Sequence, residues 1–143
     1  MSFMIDKTFV DTNILVYAHD RKAGQKHATA VEHIRTLWEK RCGVLSTQVL
    51  QELFVNVTRK SSSPLSSIAA KRIIRNYLAW PVVVNDGRAI LEAIDLQGRF
   101  RLSFWDALIV QSALSAGCAT LLSEDLNSGQ RYESLRVANP FLP

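Results

Sequence analysis

The chain has 143 residues, 48% of them hydrophobic and 21% charged, with a formal net charge of +4. That length suits one domain over residues 1–143 with a core of its own, and the composition excludes disordered and fibrous classes. No apolar stretch approaches the roughly 20 residues that span a bilayer, the N-terminus through Asp6 does not read as a secretory leader, and Cys42 and Cys118 show neither a CxxC nor a zinc spacing; the expectation is a cytoplasmic protein with no membrane contact and two inert thiols.

In chain order, Thr8–Val10 is a short β-favouring apolar run, predicted as a buried strand. Ile14–Ala18 reads as a short helix capped by Thr12 or Asn13, and His19–Gln25 as a loop. From Lys26 to Lys40, Ala30, Val31, Ile34, Leu37 and Trp38 fall at helical spacing. Gly43–Leu45 is a second strand candidate. Ser46 or Thr47 caps the next helix, with Val49, Leu50, Leu53, Phe54 and Val57 as its apolar stripe. Ser61–Pro64 is a Ser/Pro break, too short for a domain linker. A helix is predicted over Leu65–Leu78, a strand over Pro81–Val84 with Pro at its tolerated first position, and a helix from Asp86 or Gly87 through Leu96. Ser103–Ala116 is the clearest helix, closed by Gly117. Ala119–Leu122 and Arg136–Ala138 complete the strands. Strands alternating with helices mean an α/β domain with a mostly parallel sheet covered on both faces. Trp38, Trp80 and Trp105 sit among apolar residues and are expected in the core.

Four acids stand where such a sheet collects its functional groups, beyond the carboxyl ends of strands. Asp11 directly follows the first strand. Glu52 lies on the helix after the second. Asp106 sits at the start of the helix opened by Ser103. Asp125 comes three residues after Leu122, with Glu124 as the rival candidate. Capping alone would account for some of this: Asp11 is a good helix cap, and Ser103–Asp106 fits a capping box. Gathered together, however, four carboxylates stay ionised only beside a cation, and the fitting one is a hard divalent metal that prefers oxygen, Mg²⁺ or Mn²⁺. Thr12 and Asn13 can also cap the first helix, and Ser123 offers a hydroxyl as hydrogen-bond partner beside Asp125. From Leu53 to Asn85 there is no acid, while Arg59, Lys60, Lys71, Arg72 and Arg75 fall there, a distribution suited to an anionic polymer. Dinucleotide, P-loop, HExxH and GxSxG motifs are all absent from the sequence.

The words Val10-Asp-Thr-Asn-Ile-Leu15, Phe104-Trp-Asp-Ala-Leu-Ile109 and Leu121-Leu-Ser-Glu-Asp125, in this order over essentially the whole chain, resemble the PIN-domain ribonucleases, and most closely the single-domain VapC-type toxins of bacterial toxin–antitoxin pairs. The resemblance implies a three-layer α/β/α sandwich with a mostly parallel central sheet, Mg²⁺ or Mn²⁺ as cofactor, and endonucleolytic cleavage of RNA. By matching positions it implies Asp11, Glu52, Asp106 and Asp125 as the acidic set, with Thr12 or Asn13 and Ser123 in support. It also implies a homodimer and a cognate antitoxin. A catalytically silent PIN scaffold that binds RNA or protein, and an aspartate-based phosphoryl-transfer domain, are the competing readings.

Overall fold

The computed structural model of the chain describes residues 6–61 and 63–143; the first five residues and Ser62 of the Ser61–Pro64 break lie outside them. Strand β1 (Thr8–Val10) leads into α1 (Thr12–Ala18), and a 3-10 turn over Arg21–Ala23 precedes α2 (Gln25–Lys40). β2 (Gly43–Ser46) runs into α3 (Thr47–Val55), which is prolonged by one turn of π-helix over Asn56–Lys60. Then come α4 (Ser67–Tyr77), β3 (Val82–Val83), α5 (Gly87–Phe100), α6 (Phe104–Ser115), β4 (Thr120–Leu122), β5 (Arg131–Tyr132) and β6 (Leu135–Ala138). The strands form one sheet in the order β3-β2-β1-β4-β6-β5, parallel throughout except for β5 against β6. With its helices the sheet makes a three-layer α/β/α sandwich.

Side-chain caps start most of these helices. Ser46 Oγ accepts from Val49 N–H at 3.3 Å, Ser66 Oγ from Ala69 N–H at 3.1 Å, Asp86 Oδ1 from Ala89 N–H at 2.9 Å and Ser103 Oγ from Asp106 N–H at 3.1 Å, each satisfying an amide that has no partner within its helix. α1 differs from expectation: its cap is Asp11, not Thr12 or Asn13. The Asp11 N–H still donates to Leu122 O in the sheet, at 2.9 Å, so the helix begins directly where the strand stops. At the end of α6, Gly117 takes φ +73°, a conformation open to glycine at little cost.

The four inner strands are apolar and buried, as a parallel sheet covered on both faces requires: Phe9 and Val10, Val44 and Leu45, Leu121 and Leu122, Leu135 and Val137. α6 is buried along all of Ala107–Ala113, Gln111 and Ser112 included, which is why its apolar residues are not confined to one face. The tryptophans divide. Trp80 is in the core, 7% exposed and packed over Gly43, but Trp38 is 38% and Trp105 63% exposed. Trp38 closes an aromatic group at the end of α2, 5.9 Å from Tyr77 and 5.2 Å from Trp80 between ring centroids. Phe54, expected in the buried stripe of α3, is 37% exposed, so that stripe is narrower than its composition suggests. Strand β5 has no counterpart in the sequence reading, since a two-residue strand leaves no periodic signal.

Candidate active site

The sheet order places the site. The chain runs from β1 outward through β2 to β3, then returns to lay β4 on the other side of β1. β1 and β4 therefore flank the topological switch point, where a crevice opens beyond the strand ends. Val10 is in register with Leu122, so Asp11 and Ser123, the next residues on each strand, emerge side by side. Ser123 Oγ donates to Asp11 Oδ2 at 2.8 Å, and Asp11 Oδ1 accepts from Thr12 N–H at 2.7 Å. Both residues are buried. The Ser123 hydroxyl also accepts from Asp125 N–H at 3.2 Å and Leu126 N–H at 3.4 Å, which turns the loop after β4 toward the crevice.

The remaining acids come in from α3 and α6. Thr12 Oγ1 donates to Glu52 Oε1 at 2.9 Å. Asp106 lies in the first turn of α6, where the helix dipole favours an anion. Among the described residues its carboxylate makes no bond back to Ser103 N–H, so only half of the capping box forms and the carboxylate is left to the crevice. Asp11, Thr12, Asn13, Glu52, Asp106 and Asp125 all line one cleft of about 150 Å³. Glu124 does not: it accepts from Tyr17 Oη at 2.8 Å and pairs with Lys26 Nζ, held away from the crevice.

Crowding shows in the ionisation of these groups. Burial pushes the Asp11 carboxyl up from 3.8 to about 6, against the Ser123 and Thr12 hydrogen bonds that favour its charged form, and the charges of Asp125 and Glu52 add to the rise. Glu52 is raised by burial and then by Asp106 and Asp125, with the Thr12 bond and Lys60 opposing. Asp125 is raised by burial, Asp106 and Glu124. The four carboxylates thus lie within each other's fields. Their oxygen-only donor set fits a hard divalent cation. So does the buried Oδ1 of Asn13 at the cleft wall, which has no hydrogen-bond partner. Among the described residues no three acids are drawn close enough to enclose an ion by themselves; Mg²⁺ retains several waters and takes only one or two carboxylates directly, so an open cleft suits it.

Four further residues line the cleft: Gln48, Asn56, Trp105 and Ile109. Gln48 and Asn56 stand four residues either side of Glu52, on the same helical face, and that spacing was the signal that would have found them. None of the five basic residues lines it. Lys60 is near enough to Glu52 to lower its pKa, and Arg59 is its neighbour on the π turn. Lys71, Arg72 and Arg75 are on α4, and Arg75 lines a different, aromatic cavity of about 560 Å³ with His19, Trp38 and Tyr77. That cavity is the larger, but it holds no carboxylate.

Solved structures share this architecture. VapC20 of Mycobacterium tuberculosis, described as a sarcin-ricin loop cleaving toxin, superposes with a TM-score of 0.65 at 21% identity, over 83% of this chain and 90% of that one. VapBC2 of Rickettsia felis, bound to a DNA fragment from its promoter, gives 0.64 at 19% over 92% and 97%. The DNA-bound VapBC of Salmonella typhimurium gives 0.67 at 16% over 95% and 99%. At these identities the likeness is one of fold. No curated protein matches the chain significantly. The sequence profile of the PIN domain matches residues 8–131. The crevice at the β1–β4 switch point, with its acids just after β1, on α3, on α6 and in the loop after β4, is therefore set in a chain that belongs to the PIN domain family.

Proposed function

We propose that the protein is a divalent-metal-dependent endoribonuclease and the toxin of a type II toxin–antitoxin pair. The observation that carries this reading is the convergence of Asp11, Glu52, Asp106 and Asp125 on one cleft at the switch point of a PIN-domain sheet. The names of the structural neighbours support it: one is a toxin that cleaves the sarcin-ricin loop, and others are VapBC complexes. By those names the partner here is an antitoxin. A homodimer and a cytoplasmic setting belong to the same reading.

Asp11, Asp106 and Asp125 would hold Mg²⁺ or Mn²⁺, with Glu52 beside them. When bound, such an ion would supply Lewis acidity toward a phosphodiester and make a water easier to deprotonate. The chain supplies the geometry. Ser123 and the Thr12 amide hold both oxygens of Asp11, so its carboxylate cannot rotate away. The Thr12 hydroxyl ties Glu52 to the same helix start. Glu52, whose pKa is raised by burial and then by Asp106 and Asp125, would take or return a proton at the cleft. No histidine lines the cleft. Arg59 and Lys60, at the end of the helix that carries Glu52, bring positive charge to its edge, and Lys71, Arg72 and Arg75 extend it along α4 for an RNA backbone.

The test is direct. Purified protein is incubated with total RNA in Mn²⁺ or in EDTA, and the new ends are mapped. Discrete ends that appear only with metal and vanish in Asp11→Asn support the proposal. A wild-type protein that binds RNA without cutting it would instead indicate a silent scaffold.

A further inference from the structure

Trp105 stands out on the surface. It is 63% exposed although it lies in the first turn of a helix whose Ala107–Ala113 are all buried, and it lines the acidic cleft beside Asp106. Its ring has one neighbour and its backbone one anchor. The Phe104 ring meets it edge-on, with centroids 5.2 Å apart at 77°, and Phe104 itself packs against the smaller apolar cluster of Ala89, Ala93, Ala107 and Leu108. Gln48 Nε2, from α3 across the cleft, donates to the Trp105 carbonyl at 3.3 Å. A large apolar ring left in water is costly to maintain, and this one stands at the mouth of a cleft whose other lining is four acids, three amides, Thr12 and Ile109.

We propose that Trp105 is a stacking platform for a nucleobase of single-stranded RNA, and that it sets which phosphate reaches the four acids. The inference rests on the ribonuclease reading and adds the contact that holds the strand and its register. A base face is what an exposed indole binds best, and any base serves because each has a π-face. The acids repel the RNA backbone, so an uncharged stacking contact is the means by which this side of the cleft can hold the strand. Duplex RNA cannot use it, because paired bases keep their faces within the helix.

The experiment uses the full chain and short single-stranded RNAs cut by the wild type, each paired with a version carrying one abasic nucleotide beside the cleaved bond. Trp105→Ala is expected to raise KM roughly 5- to 100-fold and to change kcat far less. Trp105→Phe recovers most of the loss. The abasic RNA raises KM for the wild type by a similar factor but adds nothing further for Trp105→Ala, a non-additivity that a structural role would not produce. Unchanged KM in Trp105→Ala, or an abasic penalty equal in both proteins, overturns the proposal. Loss of self-association or of antitoxin binding in Trp105→Ala, with KM for RNA unchanged, overturns it in favour of a protein contact. If the wild type cuts no RNA, the ribonuclease reading fails on its own, and stacking is read separately by fluorescence. Quenching on RNA addition that is present in the wild type and absent in Trp105→Phe, which keeps Trp38 and Trp80, supports it; equal signals in the two overturn it.

Discussion

Replacing Asp11 by Asn isolates what the crowded site costs the fold. In the wild type, burial lifts the Asp11 pKa from 3.8 to about 6. Below pH 3.8 both the folded and unfolded chains hold the proton, and the group contributes nothing to the pH dependence. Between 3.8 and about 6 the unfolded chain ionises first, so stability falls as pH rises; above about 6 the penalty is complete and flat. Two pKa units at about 1.4 kcal/mol each give about 3 kcal/mol, or on the order of 10 °C in Tm for a domain of this size. Asn carries no charge and escapes the penalty. It also places an amide NH₂ against a Ser123 hydroxyl that already accepts from Asp125 and Leu126 N–H, a pH-independent cost of about 1 kcal/mol. The quantity to follow is the difference in unfolding free energy, Asp11→Asn minus wild type, in EDTA from pH 4 to pH 7. The contributions of Glu52 and Asp125, which are raised in the same direction, largely cancel in that difference. It should climb by about 3 kcal/mol across the range. Adding Mg²⁺ or Mn²⁺ at pH 7 should reverse the order by stabilising the wild type, by about 3 kcal/mol at a hundredfold excess over Kd. A flat difference curve would refute the account of Asp11 as a desolvated carboxylate, and equal metal stabilisation of both proteins would refute its part in holding the ion.

Asp106→Asn should lower RNA cleavage at least about 100-fold while Tm in EDTA holds or rises, because the cap of α6 runs from the Asp106 amide to Ser103 without the carboxylate and one charge that repels Glu52 and Asp125 is gone; full activity would reduce Asp106 to a bystander. Gly43→Ala should destabilise by about 1–3 kcal/mol in denaturant titration, since its Cβ would fall 2.3 Å from the Trp80 ring; an unchanged midpoint would mean that Trp80 moves freely. Lys60→Ala, measured for RNA binding in the Asp11→Asn background, should lower the log–log salt slope by about 0.7. Lys71→Ala with Arg75→Ala should lower it by roughly one to two units; no change in the α4 pair would place that helix outside the RNA path.

Nearest-neighbour physics decided a good deal of this protein. Helix starts at Ser46, Ser66, Asp86 and Ser103 follow from a side chain reaching the amide three residues on, and the stop at Gly117 from a backbone conformation only glycine takes cheaply. The apolar runs of β1, β2 and β4 carry their burial in their composition. Asp11, Glu52, Asp106 and Asp125 could be named because each follows a local element whose end is visible in the chain. What joined them was not local. Asp11 meets Ser123 across 112 positions only because β4 returns beside β1, and no propensity encodes that pairing, since it is settled by which arrangement buries the most apolar surface around one sheet. The same holds for Glu124, whose chemistry equals that of Asp125 but whose side chain is drawn off by Tyr17 and Lys26. It holds for the tryptophans as well: their hydrophobicity points inward in each case, yet Trp80 alone is buried, and Trp105 is exposed in the first turn of α6 because the core packs around Ala107–Ala113 of that helix and not around its start.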